Sequence, residues 1–120
     1  MPDFVPDIDE ATVQRLVERD FPSGVTDRVH SILATYGTKS HHYERNRVHA
    51  AVLKLANGDL LDLQRQVAIA DADFRDVVGA AEYPAQMEIG FVGMERIGPD
   101  RLHELQELDW QEYSAWLARA

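Results

Sequence analysis

Cysteine is absent from the 120 residues. Disulfides, zinc–thiolate centres and thiol nucleophiles are therefore excluded, and stability has to come from packing. Long hydrophobic runs are missing as well: no apolar stretch approaches the roughly 20 residues that a membrane-spanning helix needs. Basic residues are scarce, 12 against 21 acidic ones, for a formal charge of −9. Such a chain repels phosphate backbones at long range, which argues against nucleic acid and leaves a basic partner, a cation or no charged partner. Acidity also keeps a small protein soluble. Met1 to Asp7 lacks the basic start and apolar stretch of a secretory leader, so a cytoplasmic location is expected. There is no glycine-rich phosphate loop after a strand, and none of Ser23, Ser31, Ser40 and Ser114 sits in a nucleophile elbow.

What remains is an ordinary globular composition, 45% hydrophobic and 28% charged, of a length that suits one domain. Residues 1–8, with two prolines, read as an irregular arm that Phe4, Val5 and Ile8 could pin to the body. Asp9 is the expected N-cap of a helix over 10–20, and Thr26 the cap of a second over 27–36. A third helix is expected over 41–56, with Val48, Val52 and Leu55 inward, ended by a left-handed cap at Asn57-Gly58. Asp59 then caps a fourth helix over 60–81. Its residues Leu60, Leu63, Val67, Ala70, Phe74, Val77 and Ala81 alternate spacings of three and four, a heptad seam. The tight junction predicts an antiparallel hairpin of the third and fourth helices. Residues 85–98 are apolar without a helical period and hold Gly90, Gly93 and Gly98, so they read as a loop packed on the core. Pro99 suits a first helical position. Asp109-Trp110-Gln111-Glu112 matches a capping box, so a last helix is expected to restart there.

Within this hairpin the run from Arg47 to Leu60, Arg-Val-His-Ala-Ala-Val-Leu-Lys-Leu-Ala-Asn-Gly-Asp-Leu, is followed by Phe74-Arg75-Asp76-Val77-Val78 and Ala81-Glu82-Tyr83-Pro84. Over about Asn46–Pro84 the chain resembles small uncharacterised bacterial helical proteins of unknown function. The resemblance implies a bacterial cytosolic origin and transfers no catalytic residue.

Four groups of residues could carry chemistry. His41, His42 and His49 fall in the expected third helix, and Asp71, Asp73 and Asp76 crowd the fourth. His42, His49, Asp73 and Asp76 are the candidate metal ligands, although imidazoles seven residues apart lack the one-turn spacing of a helical site. Convergence of His42 or His49 with Asp71 or Asp73 would favour metal chemistry. Asp71 and Arg75 are spaced to pair at i, i+4. Arg47 and Lys54 could receive an anion or pair with the acidic helix opposite. Trp110, Tyr113 and Trp116 give the last helix an aromatic face, the kind of surface that anchors interfaces.

The expectation is therefore an all-α domain over 1–120, five or six helices in an antiparallel bundle around a long hairpin. Its expected function is noncatalytic: an acidic protein that binds another protein, suited to a basic one, through Trp110, Tyr113 and Trp116. Alternatives are a self-associating structural homodimer, or a metal-assisted enzyme using the histidines and aspartates. No cofactor, nucleic acid or membrane is implied.

Overall fold

The computed structural model describes residues 5–120, and the regular elements among them are all helical. They are α1 (Glu10–Asp20), α2 (Thr26–Leu33), α3 (Arg45–Ala56), α4 (Leu60–Ala72), α5 (Phe74–Glu82), α6 (Pro84–Ile97) and α7 (Pro99–Ala118), with a 3-10 turn at Ser23–Val25. No described helix is long and apolar enough to cross a membrane. Residues 5–9 are irregular; Ile8 packs against the core while Val5 is exposed. Phe4, expected to help pin this arm, lies outside the described residues.

Several boundaries set by local chemistry fall as the sequence places them, but α2 runs Thr26–Leu33 rather than 27–36, and Thr26 is its first residue, not its cap. The Asp9 carboxylate accepts from the Thr12 backbone N–H at 2.8 Å and starts α1. Asn57 (φ 50°) and Gly58 (φ 82°) turn the chain in the left-handed region that asparagine and glycine tolerate. Asp59 then accepts from Asp62 N–H at 2.9 Å to open α4. Gly58 also passes close to the carbonyl of Asp20, near the end of α1, where a Cβ would sit 3.1 Å away.

Seven helices replace the expected five or six for three reasons. The fourth helix does not run to 81. Asp73 leaves helical geometry (φ −156°, ψ 107°) and its carboxylate accepts from Arg75 N–H at 3.1 Å, so α4 ends and α5 begins across one residue. Residues 85–98 are not a packed loop but mostly helix α6, and no residue of α6 is buried. Last, α7 runs unbroken through Asp109, so the expected restart there does not occur. The third helix begins at Arg45 rather than 41, which leaves His41 and His42 in the preceding connection.

The core is built around α3, which packs on α1, α4 and α5. Val48, Ala51, Val52 and Leu53 of α3 are shielded from solvent, together with Leu63, Val67, Val77 and Ala81 opposite. Leu55 and Phe74, expected in the core, only rest against its edge. The phenyl ring of Phe74 meets Tyr43 edge-on, centroids 6.0 Å apart. Ala68 and Ala72 of α4 are exposed, whereas buried Gly79 of α5 admits the thioether of Met87 from α6.

Candidate functional site

The connection between α2 and α3 is tied down by one imidazole. Nδ1 of His42 accepts from the backbone N–H groups of Gly37, Thr38 and Lys39 at 2.8, 3.2 and 3.2 Å. Its ring stacks on Tyr36, centroids 4.2 Å apart, and the side chain is wholly shielded. The Tyr36 hydroxyl donates to the carbonyl of Tyr43 at 2.8 Å, closing the same segment from the other side. Because amide N–H groups can only donate, Nδ1 has to be the unprotonated nitrogen, and Nε2 carries the proton.

That proton points at the end of α4. His42 Nε2 donates to Asp71 Oδ1 at 2.6 Å, His41 Nε2 donates to the Asp71 carbonyl at 2.9 Å, and Lys39 Nζ reaches both carboxylate oxygens at 3.2 and 3.3 Å. The hydrogen bond from His42, then that from Lys39, holds the Asp71 carboxyl below its ordinary value. The ligand atoms of His41, His42 and Asp71 lie within 4.8 Å of one another, so the convergence that would favour a metal does occur. The hydrogen directions do not fit a metal. Each imidazole presents a protonated Nε2 where a metal would need a lone pair, and freeing His42 would strand the N–H groups that hold its Nδ1. The cluster is a hydrogen-bonded clasp between the 37–42 segment and α4.

The other candidate ligands lie elsewhere. His49 is buried on the opposite side, its Nε2 donating to the Tyr36 carbonyl at 3.1 Å, and burial pushes its pKa down. Asp73 is the cap of α5 and holds Arg75 through both oxygens, which replaces the expected Asp71–Arg75 pair. Asp76 is exposed on α5. Arg47 takes the pairing option: it grips the buried Glu82 with two bonds of 2.7 Å and reaches Glu44 at 2.9 Å. Those bonds to Glu82, foremost among the causes, raise the Arg47 pKa. Lys54 donates to the Ala81 carbonyl at 2.6 Å.

The aromatic residues of α7 face the body. Tyr113 is buried and stacks on Trp116, centroids 5.5 Å apart. Arg19 of α1 lies 4.9 Å from the Trp116 ring centroid and donates to the Trp116 carbonyl at 2.6 Å. Trp110 is half-buried beside Asp109 and Tyr83. Tyr113 thus presents no surface to a partner, and Trp116 is engaged with α1.

Exposed apolar surface gathers on α6 instead. Of nine large exposed hydrophobic residues among those described, Met87, Ile89, Phe91 and Val92 fall within six positions, and Leu108 stands on α7, against which α6 packs. Phe91 is 86% exposed and Val92 63%. Gly90 lies between (φ 74°, ψ 172°), a region that essentially only glycine enters, and it breaks α6 into two short helical pieces. On α6 and the first half of α7 the exposed carboxylates Glu88, Glu95, Asp100, Glu104 and Glu107 outnumber the exposed arginines Arg96 and Arg101, with Glu104 paired to Arg101 at 2.8 Å and Glu107 to His103 at 3.1 Å. The sequence carried a sign of this surface that periodicity alone did not interpret: an apolar run between glycines with neither a helical nor a strand stripe.

No family model, no curated protein and no solved structure matches this chain.

Proposed function

We propose that this is a noncatalytic binding protein whose contact surface is α6 with the adjoining turn of α7, and that its partner is a protein with an apolar centre and a basic rim. The observation that carries the reading is the exposure of Phe91 and Val92 on a helix with no buried residue. An aromatic side chain left in water beside other apolar groups is unusual on a monomer and suits an interface anchor. Charge selects the occupant. A second copy of the chain would set the acidic surroundings of Phe91 against themselves, whereas a basic rim complements them. An antiparallel order of α3 and α4 belongs to the same reading. It is supported by the chain reversal at Asn57–Asp59 and by the meeting of His41 and His42 with Asp71 at the far end of α4.

The test is a photo-crosslinking amino acid at position 91, activated in the native cell. The expected product is a crosslink to a basic protein that, once purified, binds the wild-type chain in a salt-sensitive way. Phe91→Ser should weaken that binding at least about tenfold without changing the unfolding midpoint. A crosslink only to a second copy of the chain would replace the reading with a homodimer. No crosslink, or a partner indifferent to Phe91→Ser, would remove α6 as the contact surface.

A further inference from the structure

A second place in the molecule is built for a ligand, and it is independent of α6. Between α1, α2 and α3 lies a half-open cleft of about 450 Å³. That volume is within the range of small-molecule sites, roughly 300–1,000 Å³. Its polar lining is Glu10 and Gln14 from α1, His30 from α2, and Arg45, Asn46 and His49 from α3.

Three features give the cleft a chemical preference. Arg45 stands in it with its side chain half exposed, and among the described residues its ion-pair contact is Glu10 at 3.4 Å, longer than a well-formed charge-assisted hydrogen bond. Glu10 itself is 83% exposed at the side chain, so this contact is loose on both sides. His30 has its Nε2 closed off from solvent with no hydrogen-bond partner among the described residues, a costly condition for a polar nitrogen. His49 is buried at the same wall, and Arg45 and His30 both act on it as like charges, lowering its pKa after burial has done so. Arg45 and Asn46 also occupy the first turn of α3, a 12-residue helix whose N-cap, Glu44, supplies no side-chain hydrogen bond.

We propose that this cleft binds a small oxyanion, a carboxylate or phosphate group, seated on Arg45 and Asn46 beside His30 and His49. Glu10 is the internal stand-in. It brings a carboxylate to the mouth of the cleft, and the ligand's anionic group takes the place of that carboxylate against Arg45. The net charge of −9 does not forbid this, because fixed cationic groups within a few ångströms outweigh distant charges screened over about 8–10 Å.

The experiment uses the full chain and two probes, inorganic phosphate and succinate, each titrated at constant ionic strength with sodium chloride as the balance. The readouts are the ring resonances of His30 and His49 and the thermal unfolding midpoint. The expected result is a saturable shift of both rings and a rising midpoint with at least one probe. Phosphate alone identifies a phosphate site, succinate alone a carboxylate site, and both an unselective oxyanion site. Arg45→Gln should weaken binding about tenfold, the loss of one charge-assisted hydrogen bond. Arg75→Gln, which alters an exposed arginine on α5, should leave binding unchanged. Glu10→Gln should tighten binding several-fold because the competing carboxylate is gone, an effect that a merely structural Arg45–Glu10 pair would not produce. The proposal is overturned if neither probe moves the two histidines saturably, if Arg45→Gln binds as wild type does, or if Glu10→Gln binds more weakly.

Discussion

Asp109 has two carboxylate oxygens and uses both on another helix. Oδ1 accepts from Ala85 N–H at 3.0 Å, and Oδ2 from the Gln86 backbone and side-chain N–H groups at 3.1 Å each. Those amides are among the donors that the first turn of any helix leaves unpaired. Asp109 is thus a helix cap supplied from mid-α7 to α6, at 2% exposure. Replacing it with alanine strands buried donors, and we expect Asp109→Ala to cost about 3 kcal/mol in urea unfolding, with Asp109→Asn costing less because one oxygen remains. A loss for alanine below about 0.5 kcal/mol would show that α6 is capped some other way. His49 makes a second prediction at this scale. Its folded pKa lies below the ordinary 6.5, so the unfolded chain takes up its proton first as pH falls. Its contribution to stability is therefore complete above 6.5 and diminishes below it, until the folded form also protonates. Unfolding free energies measured on either side of that pH should fall toward acid more steeply for wild type than for His49→Gln. Equal slopes would contradict the burial of a neutral imidazole.

At the scale of elements, the sequence was legible at several boundaries where the determining contact is local, though not at Thr26 or Asp73. Asp9, Asp59 and the Asn57-Gly58 pair act within three or four residues of themselves, and the ends of α1, α3 and α4 near them come out as expected. Two of the aspartates followed three residues later by an acid, Asp73-x-x-Asp76 and Asp109-x-x-Glu112, look alike on paper. One caps its own helix and breaks a continuous heptad seam; the other stays helical because its carboxylate is taken by α6. Nothing within the local sequence distinguishes them, since the difference is a contact 23–24 positions away. The same limit hid His42. The expected helix over 41–56 includes it, but its partners are the amides of the preceding turn and Asp71, 29 positions on. The convergence of the histidines with Asp71 was anticipated as a condition, and the proton directions that decide its meaning appear only in three dimensions. Gly90 gives the prediction for this scale. Alanine in its conformation should cost about 1–3 kcal/mol, read as a lower unfolding midpoint, or else straighten α6 and turn Phe91 toward a new direction. A Gly90→Ala protein with unchanged stability and unchanged partner affinity would mean that the kink is not required.

For the molecule as a whole, α1 to α5 close a core around α3, and the α6–α7 pair is attached to it by few groups. Met87 sits against Gly79, Tyr113 enters the core, and Arg15 and Arg19 of α1 hold carbonyls at the end of α7, those of Leu117, Trp116 and Arg119. This division accounts for the aromatic residues of α7. Tyr113 lies in the core and Trp116 packs against it, so their apolar area is spent inside the molecule, while Phe91 and Val92 stay in solvent. Fold class and most of the core could be read from periodicity; the exposed apolar surface of α6 could not, because exposure is a property of the assembled helices. The most direct measurement of the central claim is amide hydrogen exchange of the chain, free and bound to the partner captured through position 91. The account predicts added protection concentrated in α6 and the Glu104–Glu112 part of α7, with the ends of α1 and α7 unchanged. Protection confined to the Tyr113–Trp116 end, or to the cleft of Arg45 and His49, with α6 exchanging as in the free chain, would contradict it.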